Sequence, residues 1–177
     1  LEQFRHRVHG GIAGVGGADH FDQRHQIGRI PPVRAERPFG SPLGLPCNAP
    51  PWGRLSAIDL KTRRILWHRP LGTTADHAPL RIPVPGVFNQ GGALLTQGGL
   101  VFIGAAMDNY LRAFDVQTGK ELWKGRLPAG GQALPMSYVS PRTGKQYVVI
   151  AAGGHQFMST TIGDYVVAYN LQPERED

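Results

Sequence analysis

One cysteine, Cys47, stands in a chain of 177 residues. A lone thiol excludes an internal disulfide and a cysteine-based zinc site. No apolar run approaches the roughly 18 residues needed to cross a bilayer as a helix. Basic residues are scattered, with no run longer than Arg63-Arg64, so the formal charge of +6 describes a mildly basic surface. No nucleic-acid partner is expected from it. The opening residues Leu1 to Arg5 contain neither an initiator methionine nor an apolar stretch. A signal peptide is therefore not expected there, and truncation at the start is. Residues 1–36 lack Lys, Ser, Thr, Asn, Tyr, Trp, Met and Cys altogether, while Arg, Gly and His are abundant. They show neither helical nor alternating apolar periodicity. Residues 1–37 are read either as a disordered segment or as codons of a GC-rich gene translated out of frame.

Glycine and proline are plentiful, with 24 and 15 copies. Both disfavour helix interiors and mark turns. Between the turns lie short segments rich in β-branched and aromatic residues: RLSAIDL (54–60), RILWH (64–68), LLTQGGLVFIGAA (94–106), NYLRAFDV (109–116), ELWKGRL (121–127), ALPMSYV (133–139), QYVVIAAG (146–153) and DYVVAYNL (164–171). Such segments read as strands. Prolines 70, 79, 83 and 85 argue against a helix in the loop 70–92. LVFI and YVVIAA are apolar at consecutive positions, the mark of strands covered on both faces. Stacked or radially arranged sheets meet that need better than an open sandwich.

The chain also repeats itself. AIDLKTRRILW (57–67) and AFDVQTGKELW (113–123) share Ala57/Ala113, Asp59/Asp115, Thr62/Thr118, Leu66/Leu122 and Trp67/Trp123, and AYNL (168–171) begins a partial third copy. The unit reads as a hairpin. Aspartate accepts N–H groups at the start of the turn, threonine and glycine complete it, and tryptophan on the return strand fills the space between sheets. Arg63 stands where the second copy has Gly119, so its turn is expected to be strained or different.

The A-x-D-x-x-T-G-x-x-x-W pattern resembles the tryptophan-docking motif of quinoprotein dehydrogenases. SPLGLPCNAPPWG (41–53), GALLTQGGLVFIGAAMDNYLRAFD (92–115), GRLPAGGQALPMSY (125–138) and QYVVIAAGGH (146–155) narrow the resemblance to the membrane-bound glucose, quinate and shikimate dehydrogenases. The resemblance implies an all-β fold: the C-terminal blades of an eight-bladed β-propeller, with about two four-stranded antiparallel blades over residues 38–172 and a tail at 173–177. It further implies pyrroloquinoline quinone (PQQ) and calcium as cofactors and a sugar or cyclic polyol as substrate. Ubiquinone would be the electron acceptor, and the periplasmic face of the bacterial inner membrane the location. In that family an aspartate removes the hydroxyl proton while hydride passes to C5 of the quinone. That aspartate and the calcium ligands lie in earlier blades, so these residues alone are expected to be inactive without the N-terminal blades.

Three residues are carried over as cofactor neighbours. His155, after Ala-Ala-Gly-Gly, matches a histidine beside the quinone and substrate pocket; from the residues alone it is a loop histidine. It is followed by Gln156 where the family often has glycine. Gly72, in Leu-Gly-Thr-Thr, matches a glycine near the cofactor, and Asn89 matches a position below the cofactor plane. No catalytic or metal-binding residue is assigned: Asp59 and Asp115 belong to turns, His68 and His77 lack metal-ligand spacing, and the AGGQA run (129–133) lacks phosphate-loop spacing and reads as a turn. Trp52 reads as a loop anchor. The alternatives are a non-enzymatic propeller scaffold and a pseudogene product.

Overall fold

The computed structural model describes residues 41–42, 45–77 and 82–170. The expectations for residues 1–37 and for the tail 173–177 lie outside these.

The described residues form nine strands in three antiparallel sheets. β1 (Arg54–Asp59) and β2 (Arg64–Pro70) make a two-stranded sheet. β3 (Ala93–Leu95), β4 (Leu100–Ile103), β5 (Tyr110–Asp115) and β6 (Glu121–Arg126) form a four-stranded meander. β7 (Met136–Val139), β8 (Gln146–Ala152) and β9 (Tyr165–Asn170) form a three-stranded one. The all-β, antiparallel expectation holds. The strands divide as two, four and three rather than into two whole four-stranded sheets, because the repeat covers the last two strands of a unit. One 3-10 turn, Thr74–Asp76, sits in the proline-rich loop, between Pro70 and Pro79.

The middle sheet explains the consecutive apolar residues. Phe102, Leu111 and Ala113 face the third sheet with Leu127, Val148, Ile150, Val167 and Tyr169. Their neighbours Val101, Ile103 and Phe114 face the other way, against Leu71 and Val87. Both faces of β4 and β5 are thus buried, and each large apolar side chain removed from water contributes about 1.5–3 kcal/mol. YVVIAA departs from its reading. Val148, Ile150 and Ala152 are buried, but Tyr147 and Val149 are half-buried and Ala151 is exposed. Its sheet packs one face on the middle sheet and has no second sheet on the other among the described residues.

The repeat is reproduced down to register. Ala57 pairs with Trp67 and Ala113 with Trp123, and each pairing is followed by a β-bulge at Leu66 or Leu122. Asp59 accepts N–H from Lys61 at 2.8 Å and a hydroxyl from Thr62 at 2.8 Å. Asp115 accepts both N–H and hydroxyl of Thr118 at 2.7 Å. The threonine hydroxyl is the main reason that each carboxyl lies below its ordinary pKa. Arg63 keeps the same turn as Gly119: their φ angles are 56° and 67°. A side chain in this left-handed region costs about 1–2 kcal/mol. Arg63→Gly is therefore expected to stabilise the chain by roughly 1 kcal/mol, part of the relief being offset by unfolded-chain entropy. Urea denaturation checks it; an unchanged or lower midpoint would show that the turn carries no strain.

Trp67 is buried and donates its indole N–H to the Val116 carbonyl at 2.9 Å, docking the first sheet on the β5–β6 turn. Trp123 is only half-buried, edge-on to Tyr169 with ring centroids 4.9 Å apart. The two are equivalent in register but not in burial. In the partial third copy of the repeat, Glu174 corresponds in sequence to Gly119 and lies outside the described residues. Trp52 anchors its loop as expected, through its indole N–H to Asn48 O at 2.9 Å.

Candidate functional site

The loops entering and leaving the strands converge on Ala106, a fully buried residue just after β4. Gly72 lies against it: a Cβ at Gly72 would fall 2.6 Å from the Ala106 Cβ and 2.7 Å from Val87. Gly72 also adopts φ 73°, so both space and backbone call for glycine. Asn89 forms an antiparallel bridge with Ala106, and its amide stays exposed except for a long contact, 3.4 Å, to Val87 O. His155 reaches the same residue from the third sheet through two side chains. Its N–H donates to Thr160 Oγ1 at 2.8 Å, the Thr160 hydroxyl donates to Gln132 Oε1 at 3.1 Å, and Gln132 Nε2 donates to Ala106 O at 2.9 Å.

His155 is half-buried, and its Nδ1 is buried with no hydrogen-bond partner. Asn109 Oδ1 is in the same condition, while its Nδ2 donates to Thr161 Oγ1 at 3.2 Å in the His155 loop. Leaving a buried polar atom unpaired costs about 1–3 kcal/mol, a cost that a polar ligand removes.

Electrostatic order surrounds Gly72. Asp108 accepts two bonds from Arg112, at 2.8 and 2.6 Å, with both side chains nearly inaccessible to water. Its Oδ2 also accepts the Thr73 N–H at 2.7 Å, which fixes the residue after Gly72. Asp76 bonds Arg126 at 2.8 Å and the Asn109 N–H at 3.0 Å. Burial alone would raise the Asp76 carboxyl; these partners, Arg126 foremost, more than offset it and hold it below its ordinary pKa. His77 contacts Met107 O at 2.8 Å and joins no metal cluster. Among the described residues no three His, Cys, Asp or Glu side chains come together to hold a metal ion.

A model of the PQQ-dependent glucose/ethanol/alcohol dehydrogenase β-propeller domain matches residues 13–148. The chain belongs to this family. In the PQQ propeller family, the chain is 60% identical over 138 residues to a protein named "Probable quinate dehydrogenase (quinone)" from Xanthomonas campestris pv. juglandis, covering 75% of this chain and 17% of that protein. It is 53% identical over 139 residues to the quinoprotein glucose dehydrogenase of Escherichia coli K12, covering 76% of this chain and 17% of the enzyme. The chain thus spans about a sixth of the length of these relatives. The europium-containing methanol dehydrogenase shares the fold, at a TM-score of 0.52 and 22% identity over 67% of this chain and 23% of that one. The three sheets are accordingly propeller blades, and Trp67 is a blade-docking residue.

Sequence reasoning picked out Gly72, Asn89 and His155; the fold sets Gly72 and Asn89 directly beside Ala106, and His155 is joined to it through Thr160 and Gln132. It missed Gln132, Thr160 and the Asp108–Arg112 pair. For Gln132 one signal was available: a lone long polar side chain in a run of glycine and alanine, where small neighbours leave it room to cross between sheets.

Proposed function

We propose that this chain forms one wall of the cofactor and substrate pocket of a PQQ-dependent dehydrogenase that oxidises an alcohol group of a sugar or cyclic polyol. The observation that carries this reading is the unpartnered, buried Nδ1 of His155 in a chain with family relatives named for quinate and glucose. The residues present fit a polar cofactor: His155 Nδ1 offers a hydrogen bond and Asn89 presents an exposed amide, while Gly72 lets Ala106 and Val87 pack against its loop. PQQ, when bound, supplies a two-electron oxidant. The part played by these residues is to orient it and to exclude water. The calcium ion is proposed to draw its carboxylate ligands from other blades, since among the described residues no three His, Cys, Asp or Glu side chains come together. Ubiquinone is the proposed electron acceptor and the periplasmic face of the inner membrane the proposed location. No helix of the described residues is long and apolar enough to cross a membrane.

The test is a chimera in which residues 38–172 replace the matching segment of the Escherichia coli glucose dehydrogenase. With PQQ and calcium, the chimera is expected to reduce an artificial dye with glucose or quinate, and residues 1–177 alone to show no turnover. A folded but inactive chimera, or PQQ-dependent turnover by the isolated chain, would overturn the assignment.

A further inference from the structure

The glycine-rich run Ala129 to Ala133 does more than turn the chain. The geometry points to Gln132 and Thr160 as a positioning pair that ties the His155 backbone to Ala106, the residue bridged to Asn89; the inference rests on the functional reading above.

The hydrogen bonds admit one direction. Ala106 O can only accept, so the Gln132 amide must point its NH2 there, and its oxygen must face Thr160. A flipped amide would set oxygen against oxygen. Thr160, almost inaccessible to water, has a single hydroxyl proton, and the Gln132 oxygen at 3.1 Å is a nearer acceptor than His155 O at 3.4 Å. The Thr160 oxygen then remains free to accept the His155 N–H at 2.8 Å. Every polar atom of both side chains is engaged in one line from the middle sheet to the histidine.

Gly130 makes room for that line. A Cβ there would lie 2.4 Å from both Gln132 Oε1 and Thr160 Oγ1, in the space where they meet. The Gly130 backbone secures the same loop from both sides, its N–H donating to Thr161 O and its carbonyl accepting from Gly154 N–H, each at 2.9 Å. Within the loop, Met158 N–H returns to His155 O at 3.2 Å, and Ser159 takes φ 53°. His155 therefore stands at the head of a short turn that is tied at both ends, with Nδ1 left unpartnered. Such fixed supporting contacts are what keep a site residue in its productive orientation.

The experiment is NMR of the 15N-labelled chain, following the His155 ring nitrogens, the Asn89 and His155 amides and the Trp67 indole N–H. Thr160→Val and Gln132→Ala are expected to move the His155 ring and amide signals, and Gln132→Ala the Asn89 amide as well, with the Trp67 indole unchanged. Thr160→Ser, which keeps the hydroxyl, is expected to match the parent. His155 signals that stay put in Thr160→Val and Gln132→Ala would overturn the inference. Should either variant also lose the Trp67 signal, Thr160→Ser and Gln132→Glu decide: the first must match the parent, and the second must move both His155 and Asn89, because its carboxylate cannot donate to Ala106 O. The opposite pattern overturns the pair. No cofactor enters these spectra, so an inactive chimera with an intact Gln132–Thr160 response would sink the functional reading alone.

Discussion

Replacing Trp67 by alanine is expected to lower stability by about 3–5 kcal/mol, the range for truncating a large buried aromatic. Three contributions are lost together. The indole is 9% exposed, its N–H bonds Val116 O at 2.9 Å, and its ring covers Gly119, where any Cβ would come within 2.5 Å of it. The first sheet has two strands and joins the middle one through this contact, through Leu55 packed on the cluster of Val101, Ile103 and Phe114, and through the bonds of Arg69 to Gly119 O and Thr118 O, at 3.3 and 3.2 Å. Trp123→Ala should cost clearly less, because that ring is only half-buried. Urea denaturation of both variants measures the difference through their midpoints. Equal losses, or a Trp67→Ala loss below about 1 kcal/mol, would mean that blade docking does not depend on this residue.

The second large effect is expected at Asp108. Asp108→Ala leaves the Arg112 guanidinium buried without its principal counter-charge, with Glu121 at 3.3 Å as the remaining partner. Breaking a buried pair in this way costs about 3–5 kcal/mol. The Thr73 N–H loses its acceptor as well, so the backbone beside Gly72 should loosen. Removing both charges, in Asp108→Ala with Arg112→Met, is expected to restore part of the stability, because the stranded charge rather than the missing bond dominates the loss. A double mutant less stable than Asp108→Ala would show that the arginine stem, not its charge, matters most.

The propeller character of the fold was legible because it is local. The hairpin turns announce themselves through Asp115, Thr118 and Gly119, and the 56-residue offset between Trp67 and Trp123 marks successive blades. The sheet boundaries were less legible, since a strand's partner is set by what precedes and follows it, and the repeat spans only part of a blade. Arg63 was flagged by its contrast with Gly119, and the turn proved to be kept at the expense of a left-handed arginine. Gly72, Asn89 and His155 came from resemblance; nothing in their spacing shows that the first two flank Ala106 or that Thr160 and Gln132 link the third to it. Gln132 and Thr160 lie 28 residues apart. Their hydrogen bond exists only once β7 and β8 have folded back, so a one-dimensional pattern cannot reveal it. Asp108 and Arg112 likewise look like ordinary strand-edge charges until both faces of the middle sheet are covered.

The claim on which the functional account turns is that the unpartnered Nδ1 of His155 serves the cofactor. The most direct measurement is a PQQ titration of the Escherichia coli chimera carrying either His155 or His155→Ala, read by recovery of activity or by the change in tryptophan fluorescence. Loss of one well-made hydrogen bond to the cofactor should weaken PQQ binding by about tenfold or more. That shift is expected with urea stability of the apo-chimera left within about 1 kcal/mol; identical PQQ affinity in the two proteins would show that the His155 ring does not serve the cofactor.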